Sequence, residues 1–197
     1  RSRSYEPIIP LSTGYDSVAT AAIAARVGVS EAVTMRRYAT PDDPSTTLLD
    51  HPRRIADSLG LHLTEVERGQ FLNRTDLPDA AVGAAMGNFI DMPLLNMEPH
   101  LRERTVLVGN SGDNVWSRGN FRAYRDVVRG DTSGQGLGEW RLRANVMFVP
   151  VPYIGHTAHQ DLRRIANSSA MRPWAVGGSY DRPIARRIAE TAGVPRE

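Results

Sequence analysis

The sequence predicts an α/β protein: an open parallel sheet with helices on both faces, followed by extra helices at the carboxyl end. Three observations lead there. Short apolar, β-branched runs alternate with helical stretches along the chain, the pattern of strands joined by crossover helices. Arg104 to Val108 (RTVLV) is the clearest buried strand, and it runs straight into the turn-rich Gly109-Asn-Ser-Gly-Asp-Asn114. Small and hydroxylated residues crowd into Ser12 to Ser17, where the first apolar run hands over to a helix.

In chain order, Pro7 to Leu11 is the first apolar run. Asp16 to Val27 carries Ala, Val and Ile on helical faces, with Gly28 as its stop. Glu31 to Tyr38 has the β-branched content of a second strand. Thr40 to Thr46 is a loop by its turn chemistry. Leu48 to Leu59 is a helix closed by Gly60, and Leu61 to Val66 alternates as a third strand. Asp79 to Met97 is apolar and partly helical, broken near Pro93. After the RTVLV strand, Gly130 to Gly138 reads as a mobile loop, His156 to Ala166 as a helix, and Arg182 to Ala192 as another that ends at Gly193. No repeat and no linker divides the chain, so residues 1–197 are expected to form one domain.

Composition excludes several kinds of chemistry. Cysteine is absent, which removes disulfides, thiolate zinc sites and thiol catalysis. All 24 basic residues are arginine, so no side-chain amine can act as a base or form a Schiff base. Arginine does suit phosphate, because its planar fork matches phosphate oxygens. The basic residues are scattered and aromatics make up 7% of the chain, so no nucleic-acid stacking platform stands out. No apolar run approaches the roughly 18 residues that a membrane span needs. A cytoplasmic protein without membrane or nucleic-acid partners is expected; homo-oligomerisation is left open.

The Ser12 to Ser17 stretch has the chemistry of an anion cradle. A small-residue turn before a helix lets the backbone approach a phosphate, and the helix start adds unpaired N–H donors. Ser12, Thr13 and Ser17 add hydroxyls, and Gly14 permits the tight turn. Asp16 would repel a phosphate unless a cation lay between them, and magnesium resolves that conflict. The alternative is a plain turn with Asp16 as helix N-cap. There is no G-x-x-x-x-G-K-[ST] and no G-x-G-x-x-G here.

Ser12-Thr-Gly-Tyr-Asp-Ser17 resembles the S-G-G-x-D-S signature of the PP-loop ATP pyrophosphatases, with Thr13 at the middle glycine. Val106 to Trp116 resembles the asparagine synthetase strand ending in G-x-G-x-D-E-[LV]-F; Asp113 falls on its first acid, Asn114 on its glutamate, and Gly109 and Gly112 near its glycines. Tyr180 to Arg196 is similar to that group's C-terminal K-x-x-[IL]-R…-[IL]-P-x-E region, with Arg182 at the basic position that reaches the phosphates. The three stretches come in the family's order and span most of the chain. A second strand-end carboxylate is also what a magnesium-bridged pyrophosphate needs. The alternatives are that Asp113 caps the following helix and that Arg186 and Arg187 form a solvated basic face.

The resemblance implies an adenine nucleotide alpha hydrolase-like (PP-loop) fold and an ATP-dependent, AMP-forming carbon–nitrogen ligase. A substrate carboxylate attacks the α-phosphorus, pyrophosphate leaves, and ammonia or another amine displaces AMP. ATP and Mg2+ are the implied cofactors. Ser12, Thr13, Gly14, Tyr15, Asp16, Ser17, Gly109 and Gly112 would hold the nucleotide, with the strand around Val33 to Met35 against adenine mostly through its backbone. Asp16 and Asp113 would bind the metal, and Asp16, Asp113 and Arg182 carry catalysis. Without cysteine, no glutaminase domain with a cysteine nucleophile is expected in these residues, so ammonia would come free or from a glutaminase partner. The departures at Thr13, Asn114 and Arg182 leave a second reading: a subunit that binds ATP or AMP without turning it over. His156 and His159 lack a third ligand, so capping or surface roles are expected.

Overall fold

The computed structural model describes residues 5–36, 52–67, 69–77, 92–118, 136–178 and 180–195. Five strands form one wholly parallel sheet: β1 (Pro7–Pro10), β2 (Glu31–Met35), β3 (His62–Val66), β4 (Thr105–Val108) and β5 (Met147–Pro150). Their spatial order is β3-β2-β1-β4-β5. The register pairs Ile9 with Ala32, Ile8 with Val106, Ala32 with Leu63 and Val106 with Phe148. The chain therefore winds outward from β1 to β3, then crosses back to lay β4 on the other side of β1.

Alternation along the strands loads both faces. Ile9, Leu11 and Ala32 pack on one face with α1 (Tyr15–Arg26), α2 (Pro52–Leu59) and, through Ala189 and Val194, the C-terminal region. Ile8, Val33 and Val106 pack on the other face with a 3₁₀ turn (Met92–Met97) and α3 (Glu98–Leu101), while the β4 loop leads into α4 (Gly112–Trp116). Leu137 and Trp140, the latter on α5 (Gly138–Arg143), fill that same face. α1 is built for close approach, since Ala19, Ala21 and Ala22 are wholly buried along it. The end of the chain adds α6 (Val151–Ile154), α7 (His159–Asn167), a 3₁₀ turn at Ser169–Trp174 and α8 (Pro183–Thr191). α1, α4, α7 and α8 meet around Ala19, Val115, Ala166 and Ala185.

The open parallel α/β sheet, its two covered faces and the C-terminal helices match the expected class. Several boundaries differ. α1 starts at Tyr15 rather than Asp16, and the second strand ends at Met35. The helix expected over His156 to Ala166 begins as a 3₁₀ turn, Gly155–Ala158, before α7. The strand β5 and the helix α5 were not expected. The loop expected at Thr40 to Thr46 lies outside the described residues, as do 48–51, 79–91 and 130–135 of other expected elements. Among the described residues, no helix is long and apolar enough to cross a membrane.

Candidate functional site

The reversal of winding between β1 and β4 makes a topological switch point. Ligands in open α/β sheets bind there, beyond the carboxyl ends of the strands. The loops leaving these two strands are Ser12–Gly14 and Gly109–Ser111, the two stretches that the sequence singled out.

The first loop is knitted by Ser17. Its Oγ accepts the Ser12 N–H at 2.9 Å and donates to the Pro10 carbonyl at 3.1 Å. Ser17 was expected to offer its hydroxyl to phosphate; that proton is instead committed to Pro10, and Ser17 holds the turn. Gly14 is the N-cap of α1, without a side-chain cap bond. Asp16 therefore stands in the first turn rather than at the cap, beside the N–H groups that a helix start leaves without intrahelical partners.

Asp16 does not point to open solvent. Its Oδ2 accepts from Arg182 Nη1 in an ion pair whose side chains are 16% and 11% exposed. Oδ1 is buried with no hydrogen-bond partner, and so is Arg182 Nε. Burial lowers the Arg182 pKa from its ordinary value, though a guanidinium stays charged. Arg182 lies 4.2 Å over the Tyr180 ring, and Tyr180 stacks on Tyr15 with centroids 5.3 Å apart. The Tyr180 hydroxyl comes within 3.7 Å of where a Cβ on Gly14 would sit, so this ring spans the loop. Burial pushes its pKa up, and the charge of Asp113 adds to the rise.

The second loop presses directly on the first. A Cβ on Gly109 would fall 2.6 Å from the Asp16 carbonyl carbon, and one on Gly112 would collide with the Asp16 side chain. These glycines thus bring the two strand ends together. Ser111, the N-cap of α4, takes φ 67° and makes no side-chain cap bond, and Asp113 stands in the first turn of that helix. His159 Nε2 lies 2.8 Å from the Asn114 carbonyl. The His156 and His159 rings lie tilted against each other with centroids 5.6 Å apart.

Beside the first loop lies a cleft of about 480 Å³. Ser12, Thr13, Gly14 and Tyr15 line it, and opposite them stand Arg54 of α2 and Arg186 and Glu190 of α8. Arg186 lies 5.3 Å over the Tyr15 ring, so it belongs to the cleft rather than to a purely solvated face. Met35 does not join the cleft. Its side chain packs against the opposite core, where its sulfur accepts from Asn96 Nδ2 at 3.8 Å. The Val33 carbonyl is taken by the Leu11 N–H and the Arg36 N–H by the Val66 carbonyl, so little of this backbone is left for a base.

Two residues of the site went unnoticed in the sequence. Tyr180 was only part of a wider match. Asp181 is 4% exposed, and its carboxylate accepts the N–H groups of Val176 and Gly177 at 3.1 and 3.2 Å and faces Arg118 at 3.4 Å. It fixes the segment that carries Tyr180 and Arg182. A polar residue just before Arg182-Pro183 was its signal, since proline favours the first turn of a helix.

Among the described residues no three metal-ligating side chains gather. Magnesium does not require three: it is often held by one or two carboxylates plus phosphate oxygens. The unpartnered, buried Asp16 Oδ1 and the nearby Asp113 fit that donor set. No protein-family model matches the chain, and no curated protein matches it.

Proposed function

We propose that the protein binds ATP with magnesium at the β1–β4 switch point and activates a small-molecule carboxylate for amide formation, as an asparagine synthetase-like member of the PP-loop class. One observation carries this reading: two strand-end loops meet around a largely buried carboxylate that has one oxygen without a partner, and Arg54 and Arg186 line the cleft beside the first of those loops. The diphosphate would face the first turn of α1, where main-chain N–H groups and the Ser12 and Thr13 hydroxyls stabilise its charge. Asp16 and Asp113 would hold magnesium, which when bound neutralises phosphate charge. Arg182 and Arg186 supply further positive charge, and Tyr15 and Tyr180 offer aromatic surface. The chain's contribution is chiefly positioning and electrostatics. ATP as co-substrate suits a cytoplasmic enzyme, with ammonia free or delivered by a glutaminase partner.

The Asp16–Arg182 pair favours a second reading, a nucleotide-binding subunit without turnover, because the expected metal ligand is already neutralised. Calorimetric titration with ATP and Mg2+ tests both readings, and the absence of heat removes both. Carboxylate-dependent exchange of labelled pyrophosphate into ATP separates them: exchange supports the ligase, and binding without exchange across amino acids, β-amino acids and sugar acids supports the second.

A further inference from the structure

Asp16 and Arg182 stand 166 residues apart in sequence and meet with their side chains largely withdrawn from water. Breaking such a pair by removing one partner leaves an uncompensated buried charge, so the carboxylate must exchange one cation for another rather than simply lose it. The closed pair is also incomplete, since Asp16 Oδ1 and Arg182 Nε are both buried without hydrogen bonds. We propose that Arg182 is a counter-ion switch: it keeps a divalent cation arriving alone away from Asp16, and it releases Asp16 to a cation that arrives with a polyphosphate.

The proposal rests on the nucleotide reading above and adds a rule of entry to that site. A bare cation would meet at most Asp16 and Asp113 as carboxylate ligands here, with no third metal-type ligand among the described residues. It would also have to displace a guanidinium of like charge from Asp16. A polyphosphate changes both terms. Its oxygens complete the coordination of the cation, and its charge gives Arg182 a new bidentate partner. The Tyr180 ring, 4.2 Å from the guanidinium, provides a surface that Arg182 can keep while its tip turns. The main chain need not move: Asp181 ties Val176, Gly177 and Arg118 together, so the switch is a side-chain rotation on a fixed segment.

The test measures Mn2+ binding by water-proton relaxation, with and without a non-hydrolysable α,β-methylene ATP. Wild-type protein is expected to bind Mn2+ alone weakly. The nucleotide should tighten Mn2+ by about 5- to 150-fold, with the same factor in the reverse direction. Arg182→Gln should bind Mn2+ alone at least about tenfold tighter than wild type, and its coupling should shrink toward one. Arg182→Lys, which keeps the charge, should retain weak binding of Mn2+ alone. Asp16→Asn should lose Mn2+ in both settings. If Arg182→Gln gains nothing for Mn2+ alone while wild type still binds Mn2+ with nucleotide, the switch is wrong and the nucleotide reading stands. If wild type binds neither nucleotide nor the pair, that reading falls and takes the switch with it. Should Arg182→Gln not fold, wild type decides: Mn2+ binding equally well with and without nucleotide overturns the proposal.

Discussion

Gly109 lies so close to Asp16 that a methyl group on it would come within 2.6 Å of the Asp16 carbonyl carbon and 2.7 Å of the Ser17 nitrogen. The obstacle is backbone at the start of a helix, which cannot rotate away as a side chain can. Gly109→Ala should therefore lose about 1–3 kcal/mol, the usual cost of overpacking. It should also push apart the two loops that form the site. Gly138→Ala is the control, since a Cβ there meets nothing within 4 Å. Urea denaturation of both variants checks this; equal midpoints would remove the close approach from the account.

A second expectation concerns Glu98, buried beneath the opposite face of the sheet. Burial alone would raise its pKa, but hydrogen bonds from Arg74 and from Trp140 Nε1 at 2.7 Å, with the charges of Arg74 and Arg102, hold it below the ordinary glutamate range. A carboxylate with a depressed folded-state pKa stabilises the fold above its unfolded value, about 4.3, and that stability is lost as pH falls through the lower folded value. Wild type should thus lose melting temperature on acidification below about pH 4 more steeply than Glu98→Gln. Parallel curves would show that this carboxylate does not link folding to pH. Trp140→Phe, which withdraws one donor from the buried charge, should cost about 1.5–3 kcal/mol at neutral pH.

The parts of this molecule that were legible in the sequence are the local ones. β1, β2 and β4 show as apolar runs because each is covered by core, β3 shows by its alternation, and α1 shows because its alanines repeat at helical spacing. β5 escaped because it is a four-residue edge strand with prolines at its end and just beyond, and its Met147 is 48% exposed. The Ser12–Ser17 loop stood out because its residues are contiguous. What those residues do was less legible: Ser17 turns inward to Pro10, and Asp16 is claimed by an arginine from the far end of the chain. Tyr180 and Asp181 acquire meaning only when α8 packs on α1 and places their segment over the loop.

Asp181 gives a third expectation. Its carboxylate collects two N–H groups and Arg118, which follows the Asp113 helix, so it joins the element carrying Arg182 to the one carrying Asp113. Asp181→Asn keeps the shape but turns an acceptor into a donor and drops the charge facing Arg118. Stability should fall by about 1–3 kcal/mol. Nucleotide affinity should fall further than in a core variant matched for stability, because Tyr180 and Arg182 are no longer held in place. Calorimetric titration of both variants decides it: equal affinities would reduce Asp181 to a packing residue.

Tyr180 tests whether Asp113 shares the site with the first loop. Its phenol is raised above the ordinary tyrosine pKa by burial first, then by Tyr15 and by the negative charge of Asp113, with the Tyr15 main-chain N–H acting the other way. A neutral phenol is favoured near a carboxylate, so removing that charge should make ionisation easier. In an alkaline titration followed by tyrosinate absorbance, the step lost in Tyr180→Phe identifies this residue among the six tyrosines. Asp113→Asn should move that step to lower pH. An unmoved Tyr180 in Asp113→Asn would mean that the second strand end does not reach the mouth of the first, and Asp113 would lose its place beside the metal.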